Sequence, residues 1–132
     1  MSSPVPSRLT PHLLSALRIV AACLFVVHGT QKTFGFPGHV FHLPPLPLTL
    51  FATAGYLEVA GGVLMLLGWQ TRPVAFVLAG EMAVAYFTQH LPRGRWPINN
   101  GGELAILFCF VWLLICAAGP GPWSVDSFHR GR

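Results

Sequence analysis

The sequence predicts an all-α integral membrane protein, a four-helix bundle running up-down-up-down as one domain over residues 1–132. Three observations carry that expectation. The chain is 53% hydrophobic and only 9% charged, with a mean hydropathy of +0.59, too apolar for a domain that must clothe itself in charge. Four apolar runs each approach the roughly 20 residues that a helix rising about 1.5 Å per residue needs to cross the hydrocarbon. The runs are too long and too uniform to be strands of a β-barrel.

The elements follow in order. Residues 1–11 (MSSPVPSRLTP) form a polar arm rich in proline. The first helix is expected over about residues 12–34, and a loop of Gly, Pro and His (GFPGHVFHLPPLP) leads to the second at about 48–68. The short Gly68-Trp69-Gln70-Thr71-Arg72 turn forces an antiparallel hairpin with the third helix, about 73–90, which Pro73 can open. The fourth covers about 101–118. Phe34, Phe36, Trp69, Trp96 and Trp123 fall near helix ends, as interfacial anchors should.

Basic residues outnumber acidic ones by eight to four but lie mostly at segment ends rather than in a stripe suited to nucleic acid. An even number of helices puts both termini on one side. Arg8, Arg72, Arg130 and Arg132 there, against Lys32, Arg93 and Arg95 opposite, favour cytoplasmic termini by the positive-inside rule. Val20-Ala21-Ala22-Cys23 has the look of a lipoprotein cleavage box. However, Arg18 interrupts the short apolar region a signal needs, and the run continues past Cys23 to membrane length, so an uncleaved helix is expected.

Three of the four carboxylates, Glu58, Glu81 and Glu103, fall one each within the second, third and fourth runs. A carboxylate at bilayer depth is costly and marks a functional-site hypothesis by default. Counting from the side of the termini at about 1.5 Å per residue puts Arg18 about 9 Å in, Glu81 about 12 Å, Glu58 about 15 Å, and His28 and Glu103 both about 24 Å. Opposite charges then share two levels. Arg18 is expected to pair with Glu81, Glu58 or both. His28 is expected to face Glu103 beside Lys32 and Asn99, where it could accept or deliver a proton near neutral pH.

Two readings fit. In one, these are structural ion pairs within a closed bundle. In the other, Arg18, His28, Lys32, Glu58, Glu81, Asn99 and Glu103 serve ligand binding or proton handling in a polar pocket, with Asn100 also at its mouth. His28 and Lys32, four apart, share a helix face. A quinone headgroup would suit such a site, since its carbonyls accept hydrogen bonds and its reduction consumes protons. Gly55, Ala54, Gly61 and Gly62 surround Glu58 and are expected to let backbones approach closely.

Cys109 and Cys116 are seven residues apart on one helix, too far along the axis for a disulfide, and no C-x-x-C occurs. Buried free thiols are expected, a Cys23–Cys109 bridge being the alternative. No histidine spacing typical of zinc is present, His39 and His42 forming only a weak pair, and no metal is expected. Gly119-Pro120-Gly121-Pro122 ends the fourth helix, after which Ser124 and Asp126 are expected to satisfy local backbone donors.

The order of motifs resembles the DoxX family of small bacterial membrane proteins: Arg18, then HGTQK (His28 to Lys32), GYLEVAGGVLMLLGWQTR (Gly55 to Arg72), Glu81, NNGGELAIL (Asn99 to Leu107) and GPGPWSVD (Gly119 to Asp126). The resemblance implies a four-helix protein of the bacterial inner membrane, in a family linked to thiosulfate:quinone oxidoreductase subunits and to membrane oxidoreductase complexes that counter oxidative stress. It directs attention to Arg18, His28, Lys32, Glu58, Glu81, Asn99, Glu103 and Asp126. No flavin, haem or iron–sulfur motif is present, so electrons would have to pass through a bound quinone or a partner's cofactor. The expected roles are thus a quinone or small-molecule site within an oxidoreductase complex or, alternatively, a non-catalytic accessory subunit. Membrane lipids and further subunits, or copies of the same chain, would be its partners.

Overall fold

A computed structural model describes residues 6–38 and 48–132. Those residues are helical or irregular, with no strand among them. Helix α1 spans Thr10–Phe34, α2 Leu48–Leu67 and α3 Thr71–Ala85. A π-helical turn, Tyr86–His90, and a 3-10 turn, Leu91–Arg93, prolong α3. Short α4 (Pro97–Asn100), α5 (Glu103–Ala118) and α6 (Val125–Arg130) follow. Three helical stretches, Thr10–Phe34, Leu50–Leu67 and Thr71–Arg93, are long and apolar enough to cross a membrane, and α5 is apolar but shorter.

The expected boundaries hold to within a few residues, and the departures have local causes. Helix α1 takes Pro11 into its first turn, where no N–H is required, so it begins two residues early. It stops at Gly35, whose left-handed φ of 69° lets its N–H return to the Thr30 carbonyl. Helix α3 begins at Thr71 rather than Pro73, and its α-helical part ends at Ala85 instead of about residue 90. The fourth expected helix begins at Glu103, two residues late, because Gly101 and Gly102 end the α4 turn first.

Glycine sets how closely α1 and α2 approach. A Cβ built on Gly29 would lie 2.7 Å from the Val59 nitrogen, and one on Gly62 would lie 2.6 Å from Val26 Cγ2. Neither position accepts a side chain without the helices parting. The pairings Gly29–Val59 and Gly62–Val26 also show that α1 and α2 run antiparallel. Gly61 turns the other way, onto Leu78 of α3. Small residues in α2 therefore do what the sequence predicts.

Helix α3 packs mainly on α5, and Phe25 of α1 meets α5 through Phe108 and Trp112 at centroid distances of 5.1 and 5.4 Å. Ala22, Met65, Ala75, Leu78 and Ile115 belong to the same core. Outward positions are apolar too, among them Leu13, Val20, Leu24, Phe76, Val84, Leu107 and Phe110. That inversion suits hydrocarbon as the surrounding solvent. Phe34, Phe36, Trp69, Trp96 and Trp123 are all exposed near helix ends, consistent with the expected anchors. The three thiols are free, but none is fully buried: Cys23 is exposed on the outward face of α1 beside Leu24, and Cys109 and Cys116 are half-buried.

Candidate functional site

Arg18 corrects the first sequence expectation. Its side chain is fully buried, yet it reaches neither Glu58 nor Glu81. Nε donates to the Pro120 carbonyl at 2.9 Å, Nη1 to the Met65 and Leu66 carbonyls, and Nη2 to the Trp123 carbonyl. The physical reason is that α2 ends at Leu67 and leaves carbonyls without helical partners. The segment after α5 folds back and supplies two more. Five forked N–H donors match such a ring of carbonyls better than a carboxylate pair would.

The same end is fastened twice more. Arg72 Nη1 donates to the Cys116 and Ala117 carbonyls at the end of α5. Asp126 accepts from the backbone N–H groups of Gln70 and Thr71, each at 2.9 Å, capping the start of α3. The expected structural role of Asp126 stands, but its reach is long-range, and Ser124 makes the local cap by accepting from Ser127 N. Burial alone would raise the Asp126 carboxyl, but the amide donors of Thr71 and Gln70 and the nearby Arg130 charge outweigh it and leave the group below the ordinary Asp range.

The opposite end holds a cavity of about 470 Å³ where α1 ends, α2 begins, α3 passes into its π turn and α5 begins. Among the residues expected at a site, His28, Lys32, Glu58 and Glu81 line it, and Arg18, Asn99 and Glu103 do not. Lys32 and Glu58 form an ion pair, Nζ to Oε1 at 2.5 Å, with Glu58 only 1% exposed. Among the described residues Glu58 Oε2 and both carboxylate oxygens of Glu81 are buried with no hydrogen-bond partner. Buried polar atoms are nearly always satisfied. Three carboxylate oxygens left open around one cavity are therefore the site's distinguishing feature.

The expected outer tier is also corrected. Glu103 is the first residue of α5 and is exposed, so it does not face His28 across the bundle. An acidic residue there complements the positive end of the helix dipole. His28 instead meets the edge of the Phe108 ring, with centroids 6.1 Å apart. Asn99 is exposed on α4. Asn100 is buried but occupied locally, Nδ2 donating to the Gly94 carbonyl and Oδ1 accepting from Gly102 N. His39 and His42 lie outside the described residues.

Sequence reasoning missed Gln31, Thr88, Gln89, His90 and Arg93, all of which line the cavity. Gln31 lies three residues from His28 and Thr88 seven from Glu81, so helical periodicity could have found both. Gln89 and His90 enter through the π turn, a widening often found at functional sites. His90 stacks with Tyr86 at 6.3 Å and places Nδ1 3.2 Å from the Asn100 carbonyl oxygen.

Long apolar helices around a cavity that holds the Lys32–Glu58 ion pair and Glu81 define a small multi-pass membrane protein. The DoxX family model matches residues 13–91, more than half of the chain, and the chain belongs to that family. It is 40% identical over 125 residues to an uncharacterized protein of Haemophilus influenzae, covering 89% of this chain and 90% of that one. It is 30% identical over 127 residues to the inner membrane protein YphA of Escherichia coli, covering 88% and 89%. It is 27% identical over 114 residues to CatD of Bacillus subtilis, provisionally named an oxidoreductase, covering 85% and 83%. No solved structure is significantly similar.

Proposed function

We propose that this chain is an inner-membrane subunit whose cavity binds the headgroup of a quinone within a membrane oxidoreductase complex. In this reading α5 crosses the bilayer as a fourth helix of an up-down-up-down bundle, with both termini cytoplasmic. The observation that carries it is the convergence of Lys32–Glu58 with the unpartnered Glu81 on one cavity. Its volume lies within the roughly 300–1,000 Å³ usual for small-molecule sites, and its wall combines apolar Phe25, Phe51 and Phe108 with a few polar groups. Relatives named as inner membrane proteins, and one provisionally named an oxidoreductase, support the setting.

Lys32 carries three donors and spends one on Glu58, so it can orient an oxygen of the headgroup. His28 can hold or pass a proton, as can Glu81. Reduction of a quinone to a quinol takes up two electrons and two protons. The protons fall to these side chains, and the electrons come from a redox group of a partner subunit. Arg18 and Asp126 keep the helices in register and touch nothing that reacts.

The test is direct binding of a short-chain ubiquinone to the protein in nanodiscs. Saturable thermal stabilisation, lost in Lys32→Met while the variant stays folded, is expected. If no quinone stabilises the wild-type protein, the reading fails and the accessory-subunit role replaces it.

A further inference from the structure

The sealed polar atoms of the cavity are not an even mixture. The open acceptors are Glu58 Oε2 and the two Glu81 oxygens, and Gln89 Nε2 is a sealed donor also without a partner among the described residues. All three residues line the same space. Glu58 Oε1 is already held by Lys32, so the carboxylate is fixed in orientation with its second oxygen left over.

Different ligand groups would satisfy this set to different degrees. A quinone carbonyl only accepts, so it could meet Gln89 or a proton held on Glu81, but would offer no donor to Glu58 Oε2 or to the remaining Glu81 oxygen. An ammonium only donates, and would leave Gln89 open. A hydroxyl does both, donating its hydrogen to a carboxylate and accepting from an amide. Since an unmet buried polar atom costs more than a made hydrogen bond returns, the group that closes the most open positions is favoured.

We infer that the cavity selects a hydroxyl-bearing aromatic headgroup, so that of the two redox forms it is the quinol, not the quinone, that binds more tightly. The inference rests on the quinone-site reading above. It concerns binding alone and requires no electron transfer. Glu81 is the principal acceptor of the ligand hydroxyl, and Gln89, on the π turn, donates to the hydroxyl oxygen.

The experiment compares three probes sharing one ring under anaerobic conditions: a short-chain ubiquinol, the matching ubiquinone, and the quinol with both hydroxyls methylated. Affinities are measured for the wild-type protein in nanodiscs, with Glu103→Gln as a control outside the cavity. The quinol is expected to bind about tenfold more tightly than either other probe, the scale of one hydrogen-bond mismatch. In Glu81→Gln, or in Gln89→Leu should that variant fold poorly, the preference should shrink to about threefold or less, while Glu103→Gln keeps it. Equal, competitive binding of quinol and quinone to the wild type overturns this inference and leaves the quinone site standing. Binding of none of the three overturns the site itself. A strong quinol preference unchanged in a folded Glu81→Gln also overturns it.

Discussion

At the end of the molecule where α2 turns into α3, Arg18 is as buried as a side chain can be, and each of its three nitrogens donates to a named carbonyl. At the other end Glu81 is sealed with both oxygens open, and Glu58 has one oxygen paired and one not. Both ends bury ionisable groups, yet only at the first are the hydrogen bonds of those groups closed. The first arrangement is what fold stability selects, because an unmet buried group costs about 1–3 kcal/mol. The second sacrifices stability, which is the behaviour expected of a site.

If this contrast is right, the largest loss of stability comes from the closed end. Arg18→Ala removes the donor to several buried carbonyls at once and should destabilise the protein by about 3 kcal/mol or more. The check is unfolding in detergent with Arg18→Lys alongside. Lysine keeps the charge but not the planar fork, so it should recover only part of the loss.

Next comes the seam on which both ends depend. Gly29→Ala would place its Cβ 2.7 Å from the Val59 backbone nitrogen, and backbone cannot swing aside as a side chain can. A cost of about 1–3 kcal/mol is expected, as for overpacking in a filled core. Gly80→Ala, which meets nothing within 4 Å, should be close to neutral in the same assay.

A smaller effect is expected at Asp126. Asp126→Ala removes the cap on α3 and should cost about 1 kcal/mol at neutral pH. Because the folded state holds this carboxyl below its ordinary value, its contribution is complete above about pH 3.9 and is lost as the pH falls through the depressed value. Acid titration of stability should therefore be shallower below that pH in Asp126→Ala than in the wild type. The group is only partly buried, so the difference in slope will be modest.

The parts of this contrast that the sequence discloses are those fixed by translation along a helix. Counting residues placed Glu58 and Glu81 at similar levels, and the i, i+4 spacing placed His28 and Lys32 on one face, and all four line the cavity. The same count failed for Arg18 because level says nothing about azimuth. Its partners come from a helix end and from the fold-back of Pro120 to Trp123, 102 to 105 residues away in sequence. Glu103 misled for a related reason: the helix it belongs to starts at that residue, so it lies exposed at an end instead of facing inward. Gln89, eight residues from Glu81, falls within the same helical stripe, but a neutral amide gave no signal beside the carboxylates.

The claim that the cavity end trades stability for function rests most heavily on Glu81, and thermal unfolding of Glu81→Gln without ligand tests it most directly. An amide of the same shape removes a sealed carboxyl group with no partner among the described residues. The melting temperature should stay level or rise by a few degrees, while stabilisation by a short-chain quinol falls. A drop of several degrees, with the response to quinol intact, would mean that Glu81 is a structural group whose partner lies elsewhere, and would contradict the account.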